Sequence, residues 1–475
     1  MNAIPAMSMD LGTQEPSSRA PQLTKADGSP VSVMIDGFNL SLAKGTGVAT
    51  YARNLSFCLR DLGCNVGVLY GGPAGRRHSA LLKEISFYDS QSLTLDRWQR
   101  FKKRVRSSIS LNHSAAFEIP IAGHVVPDTF SSRLPHFNTI WNATDLYLKA
   151  STQFELFGFT NRVSTTRTPD ICHWTYPLPI RHKGSLNIYT LHDVVPLRLP
   201  YSTLDKKDRY LSLMRWIGRT ADHIVTVSEA SRRDLIDVAG IPADKVTNTY
   251  QAVTIPDKYR LKPETAVRAE IEGMFGLAFK NYYLFFGSIE PKKNVGRLIE
   301  SYLASGVDGP LVIVGAQAWK SEDELRPLAY QTLKKQLQGD DDEETGRKVV
   351  QLEYVSLSLL VSLIRGAKSV LFPSLYEGFG LPVLEAMLLG TPVLSSRTSS
   401  IPEVAGDAAL LVDPYDVGAI AEGIRSLDAN ESLRAELSAR GKRQAALFNE
   451  AAYAKRLAGV YEQALGTAAA RRVAQ

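Results

Sequence analysis

Two periods of apolar residues alternate along this chain. Short continuous apolar runs begin at Val31 (VSVMIDG), Asn65 (NVGVLY), Ser185 (SLNIYTLHD), His223 (HIVTVS), Tyr282 (YYLFFGS), Pro310 (PLVIVGA), Val349 (VVQLEYV), Ser369 (SVLFPS) and Pro392 (PVLSS). Runs of this length between turn residues predict buried strands. Between them apolar residues recur at i, i+3, i+4, as in Tyr51, Ala52, Leu55, Leu59 and Leu62, or Val295, Leu298, Ile299, Tyr302 and Leu303. That spacing predicts helices with one buried side, from about 48 to 62, 203 to 218, 358 to 367, 417 to 445 and 450 to 466. Strand–helix alternation in both halves gives an α/β chain with two Rossmann-like doubly wound domains facing a cleft. The first is expected over 31–256 and the second over 257–446, with a further helical segment over 447–475. Residues 76–168 are the least legible part.

Composition narrows the class. A chain of 475 residues is too long for one ordinary core, and 44% hydrophobic with 22% charged residues is ordinary for a soluble protein. No apolar run approaches the ~18 residues of a membrane-spanning helix. Residues 1–30 have neither a basic start nor an apolar stretch, so they read as a disordered leader rather than a signal peptide. Cys58, Cys64 and Cys172 lack metal-ligand spacing and fit a reducing cytoplasm. A net charge of +6 favours no particular partner, and no nucleic acid is expected. The run RWQRFKKRVR over 97–106 holds six basic and no acidic residues, with Trp98 and Phe101 among them. On a helix it could lie on an anionic membrane, although such runs are more often solvated surface.

The candidate chemistry gathers in EGFGLPVLE, residues 377–385. An apolar strand leads in, Gly378 and Gly380 let backbone approach a ligand, and a helix is expected to start near Pro382 with Glu385 in its first turn. Free amides at a helix start attract an anion such as a diphosphate. Glu377 and Glu385 would then face hydroxyl donors, which points to a nucleotide sugar. The local pattern fits equally well a Glu385 that complements the helix dipole and a solvated Glu377. Lys292 and Lys293 follow a buried strand just before a helix, a position suited to phosphate. His192 closes another strand, where a lone histidine is usually structural. Gly45 and Gly47 sit at the first strand-to-helix turn.

EGFGLPVLE resembles the E-x7-E signature of retaining glycosyltransferases. With GTPVLSSRTSSIPEVAGDAALLVDP it resembles glycosyltransferase family 4, and LHDVVPLRLP and GSIEPKKN resemble that family's histidine and phosphate segments. The resemblance implies the GT-B fold and a C-terminal helix packed back on the first domain. It also implies catalytic His192, Lys293 and Glu377. Donor binding would fall to Gly45, Gly47, Ser288, Lys292, Lys293, Glu377, Gly378, Phe379, Gly380, Leu381 and Glu385. Glu377 would bind sugar hydroxyls and Glu385 the ribose. Where many relatives carry an arginine this chain has Ser288, which leaves more of the phosphate charge to Lys292. The implied reaction is retaining transfer of a hexose, with GDP-mannose favoured as donor, to a glycan acceptor that could be lipid-linked, in bacterial polysaccharide synthesis. No metal and no cofactor are expected, and the setting is cytoplasmic, peripheral to the membrane through 97–106. A sugar-nucleotide epimerase, a phosphorylase or a non-catalytic binding subunit of the same architecture are the alternatives.

Overall fold

Strands that are apolar on both faces survive only when both faces are covered, and the chain builds two such sheets. The computed structural model describes residues 22–41, 47–89, 112–121, 125, 134–318, 321–327 and 349–473. Its first sheet runs in the spatial order Val246–Asn248, His223–Thr226, Leu186–Thr190, Ile171–Trp174, Ser32–Asp36, Asn65–Tyr70, Thr139–Asn142, Phe117–Ile119. Every pair is parallel except the last, where Phe117–Ile119 lies antiparallel to Thr139–Asn142. The second sheet, all parallel, has the order Val349–Leu352, Leu311–Val314, Tyr283–Phe286, Ser369–Phe372, Val393–Ser396, Leu410–Val412. A small parallel sheet of His113–Ala115, Asn161–Ser164 and Ile180–His182 takes up part of the least legible stretch.

Helices cover both sheets as the periodicity requires. Gly47–Asp61 buries Tyr51, Ala52, Leu55 and Leu59, and Val295–Ser305 buries Val295, Leu298, Ile299 and Tyr302. Inside the second sheet Phe285 stacks on Phe372 at 5.6 Å. Three expectations need correction. The disorder expected over all of 1–30 does not hold for the described part, because Leu23 is buried and its amide donates to the Leu62 carbonyl at 2.9 Å. The helix expected from 203 begins at Lys207, after a short 3-10 turn at Pro200–Ser202. The helix expected over 417–445 is two, Val417–Ala429 and Glu431–Ala446. Asn430 between them is extended, and its side chain accepts the Leu433 amide at 2.9 Å. The basic run 97–106, Gly45 and the acidic loop near 339–348 lie outside the described residues.

The last helix, Glu450–Val473, follows the second sheet but lies against the first. Its Tyr453 hydroxyl donates to the Tyr51 hydroxyl at 3.2 Å, Arg456 Nε donates to the Thr249 carbonyl at 2.8 Å, and Tyr461 hydrogen-bonds His173. Among the described residues no helix is long and apolar enough to cross a membrane.

The two sheets meet through polar contacts concentrated on one short helix. Glu229–Asp237 belongs to the first sheet's layer, and its N-terminal amides of Glu229 and Ala230 donate to Glu403 of the other half, at 2.7 and 3.1 Å. A carboxylate at the positive end of a helix dipole is the favourable sign. From the same helix Asp234 accepts hydrogen bonds from both Tyr376 and Arg198. Around these lie the apolar contacts of Val195 and Leu199 with Leu375 and Tyr376, and the rings of Tyr250, Phe379 and Phe448. Glu403→Ala strips two orphan amides of their acceptor and should lower stability by about 1–3 kcal/mol. Thermal unfolding of the variant measures this, and an unchanged midpoint would show that Glu403 contributes nothing to closure.

Candidate active site

Tyr283–Phe286 and Ser369–Phe372 are neighbours in the second sheet, so the loops that leave their C-terminal ends run side by side. Each loop contributes one ion. Lys293 Nζ donates to Glu377 Oε1 at 2.7 Å, and the two side chains are only 11% and 8% exposed. The ammonium also lies 5.1 Å from the centre of the Phe372 ring. An ammonium has three donors, and among the described residues Lys293 Nζ makes no other hydrogen bond, so two donors remain to be used.

The loops are fastened to each other by backbone as well. Asn294, at φ 62, sends its Nδ2 to the carbonyls of Pro373 and Pro414 at 2.9 and 2.7 Å. The Leu375 amide donates to the Lys292 carbonyl at 2.8 Å. The Lys292 ammonium is 3.7 Å from Glu290. Burial opposes its charge, but Asp193, Glu290 and Glu377 outweigh burial and raise its pKa. Ser288 is exposed and its hydroxyl donates to Glu290 at 3.1 Å.

The glycine loop itself is held from several directions. Ser399 Oγ accepts the Glu377 amide at 2.9 Å, and Ser400 Oγ bridges the carbonyls of Glu377 and Phe379 at 2.9 and 2.8 Å. From the first domain, Ser228 and Ser231 reach the Gly378 carbonyl at 2.7 and 3.0 Å. A Cβ on Gly378 would stand 2.8 Å from the His192 carbonyl and 3.1 Å from Asp193 Oδ2, so only glycine admits this approach. Gly380 has φ +107, a conformation open to glycine, and caps the helix Leu381–Leu388.

Glu385 is the fifth residue of that helix, one position further in than expected because the helix begins at Leu381 rather than Pro382. It is half-buried, and among the described residues its side chain has no hydrogen bond or ion pair. Burial without a partner pushes its carboxyl up to about 7. His192 Nε2 bonds the Thr175 carbonyl at 3.0 Å, which fixes the neutral tautomer with Nδ1 as an acceptor. Its ring stands edge-on to Tyr51 at 4.8 Å, and burial lowers its pKa. Asp193 accepts the Val195 amide at 3.0 Å and so fixes the turn after His192.

The structure therefore brings Lys292, Lys293, Glu377, Gly378 and Gly380 together, with His192 facing Gly378 from the other domain. Phe379 is buried among Tyr250 and Phe448. Leu381 is half-buried at the helix start. Gly47 is exposed, with nothing within 4 Å of the place a Cβ would take. Sequence reasoning reads Ser228 only as the cap of the next helix, which it is, its hydroxyl accepting the Ser231 amide at 3.0 Å, and gives no role to Ser231, Ser399, Ser400 or Asn294. The serines of VSEAS and SRTSS were a visible signal, but which carbonyls they serve depends on the tertiary fold. Among the described residues no three His, Cys, Asp or Glu side chains converge as metal ligands would.

Comparison with known proteins identifies the family and the fold. Residues 45–254 match the model "Glycosyltransferase Family 4" and residues 276–444 match "Glycosyl transferases group 1". The chain is 32% identical over 278 residues to O-antigen chain mannosyltransferase B of Escherichia coli, covering 56% of this chain and 68% of that one. It is 27% identical over 285 residues to the serotype-specific mannosyltransferase WbdA of Escherichia coli, covering 58% of this chain but only 33% of WbdA. The fold is that of Anabaena HepE, crystallised with UDP and glucose, at TM-score 0.60 and 15% identity over 91% of this chain and all of that one. A sucrose-phosphate synthase from Thermosynechococcus elongatus also aligns at TM-score 0.60, with 15% identity over 92% of this chain and all of that one. Two α/β domains, the second carrying the buried lysine–glutamate pair, with these matches in both halves, place the chain in glycosyltransferase family 4, with the GT-B fold.

Proposed function

We propose that the protein transfers mannose from GDP-mannose, with retention of configuration, to a glycan acceptor carried on a lipid, in bacterial polysaccharide synthesis. The observation that carries a nucleotide-sugar reaction is the buried Lys293–Glu377 pair with donors to spare, followed in the chain by a helix that carries an unpartnered Glu385. The mannose assignment is supported by the Escherichia coli relatives, which are named as mannosyltransferases.

In this reading the bond between the sugar's anomeric carbon and the diphosphate oxygen breaks, and its electron pair stays on the phosphate. The two remaining donors of Lys293, helped by Lys292 and the Leu381 amide, stabilise that growing charge. Glu377, already ordered by Lys293, accepts hydrogen bonds from sugar hydroxyls, and Glu385 accepts from the ribose. Nδ1 of His192 accepts a further hydroxyl. The acceptor oxygen bonds to the anomeric carbon on the face the phosphate leaves, and its proton passes to the departing phosphate oxygen. No protein nucleophile is required. The amphiphilic run 97–106 would hold the enzyme on the cytoplasmic face of the membrane, where a lipid-linked acceptor is presented. Thermal-shift assays with GDP-, UDP-, ADP- and dTDP-sugars test the donor, and stabilisation by another nucleotide's sugar alone would replace GDP-mannose.

Structural and catalytic roles of the central pair can be separated. Lys293→Met removes the ammonium that is hydrogen-bonded to buried Glu377, a loss of about 3–5 kcal/mol. Lys293→Met/Glu377→Gln removes both charges and should recover much of that stability while turnover stays at least roughly 100-fold down. Denaturant unfolding and steady-state transfer rates read the two effects, and a double variant with restored activity would make the pair purely structural.

Glu385 gives a pH signature. Its folded carboxyl titrates near 7, against an ordinary 4.5, so between those values the folded state holds more proton than the unfolded chain. Stability of the free enzyme therefore falls as pH rises through this window and levels off above it. Donor affinity runs the opposite way, because ribose hydroxyls need the ionised carboxylate. Glu385→Gln should flatten both profiles, and unchanged slopes in calorimetric titrations and melts would remove Glu385 from the ribose site.

A further inference from the structure

Because parallel strands share a direction, His192 and Ser228 mark the end of the first sheet that faces the crevice. At the opposite end lies a cavity of about 740 Å³, bounded by the strand starts at Leu186 and His223 and by the last helix. Five cations line it, Arg162, Arg181, Lys183, Lys245 and Arg471, against two carboxylates, Asp222 and Asp244. Two of the cations are already engaged. Lys245 Nζ caps a helix end through the carbonyls of Gly218, Arg219 and Ala221, each at 3.2 Å, and Arg181 is 3.5 Å from Asp222. Asp222 is in turn occupied by the Asn187 amide at 2.8 Å. Arg162, Lys183 and Arg471 have no acceptor among the described residues, and they come from three separate elements: a strand, a turn and the last helix. Concave walls of low dielectric, here including Trp216 and Leu186, concentrate the field of such a set.

An apolar feature adjoins this cavity. Phe157 and Phe159, 54% and 52% exposed, hold their ring centres 5.7 Å apart, and Leu156 beside them is 48% exposed. The chain passes from Phe159 directly to Thr160 in the cavity wall. We propose that this cavity is a second anion site, which binds a phosphate group. The exposed Phe157–Phe159 pair beside it favours a phosphate carried on a lipid headgroup over a free one. The rings would enter the acyl boundary while the guanidinium and ammonium groups hold the headgroup.

The test compares the full chain with Arg162→Gln/Lys183→Gln/Arg471→Gln, all three positions being exposed. Binding to the donor crevice, or to a membrane through 97–106, is common to both proteins and cancels in the comparison. Calorimetric titration with inorganic pyrophosphate reads the free-phosphate arm. Co-sedimentation with phosphatidylglycerol vesicles, against phosphatidylcholine vesicles, reads the lipid arm. The triple variant should bind at least roughly ten-fold more weakly in one arm or both, as expected for lost charge-assisted hydrogen bonds. A loss confined to pyrophosphate assigns a free phosphate. A loss on phosphatidylglycerol, reproduced by Phe157→Ser/Phe159→Ser, assigns the lipid. If the triple variant misfolds by circular dichroism, Lys183→Gln alone carries the comparison. Equal binding by wild type and variant in both arms, or no binding by wild type in either, overturns the site.

Discussion

The crevice depends on one buried ion pair. Lys293 and Glu377 come from loops on adjacent strands, and removing either would leave the other buried without its hydrogen-bonded partner. Their contact therefore fixes how the two loops sit on each other, and Asn294, through its bonds to the carbonyls of Pro373 and Pro414, supplies the rigid frame around it. Because the pair neutralises itself, the empty site stays folded. Because an ammonium can serve more than one acceptor, Lys293 can hold a phosphate oxygen without releasing Glu377. The site is thus organised before a ligand arrives, the condition under which fixed charges contribute most to a charged transition state.

The same loop is where the two halves of the molecule meet. The Gly378 carbonyl takes hydroxyls from Ser228 and Ser231 of the first domain, and the Gly378 α-carbon lies against the backbone of His192. Opening the cleft would break those bonds together with the Glu403 cap on the neighbouring helix. Domain closure and the shape of the glycine loop are therefore linked. The closed cleft sets His192 against the loop that carries Glu377, and without the interdomain bonds that loop would rest on its contacts within the second domain, Ser399, Ser400 and the Lys293 pair among them.

The strands and most helices were legible because a parallel sheet buried on both faces demands continuous apolar runs, and YYLFFGS or PLVIVGA admit little else. Helix ends were less legible. Asn430 interrupts what periodicity read as one helix, since its side chain competes for the next turn's amides. Glu377, Lys293 and His192 stood out by type and position at strand ends. The serines that hold the loop did not, because a hydroxyl's partner is set by tertiary contact and leaves no period in the sequence. Glu403 was hidden for the same reason: its partner is a helix N-terminus 173 and 174 positions away. The leader boundary was misplaced because a single leucine, Leu23, anchors it, and one residue makes no pattern.

Ser288 shows how a local departure is absorbed. On the family resemblance an arginine is expected at this position, so the proposed phosphate side of the crevice has one cation fewer. In this chain Lys292 stands close to Asp193, Glu290 and Glu377, and these carboxylates keep it charged despite burial. Ser288 in turn hydrogen-bonds Glu290, which holds that carboxylate near the ammonium. On the proposed reading, an incoming diphosphate would compete with these carboxylates for Lys292, so the missing arginine is replaced by a lysine whose charge is maintained from both domains. Asp193 belongs to the first domain and Glu290 to the second, so in the closed cleft both domains hold that cation. A diphosphate that took Lys292 would loosen the hold of Asp193 on it, so donor binding and this part of domain closure would compete for one ammonium across the cleft.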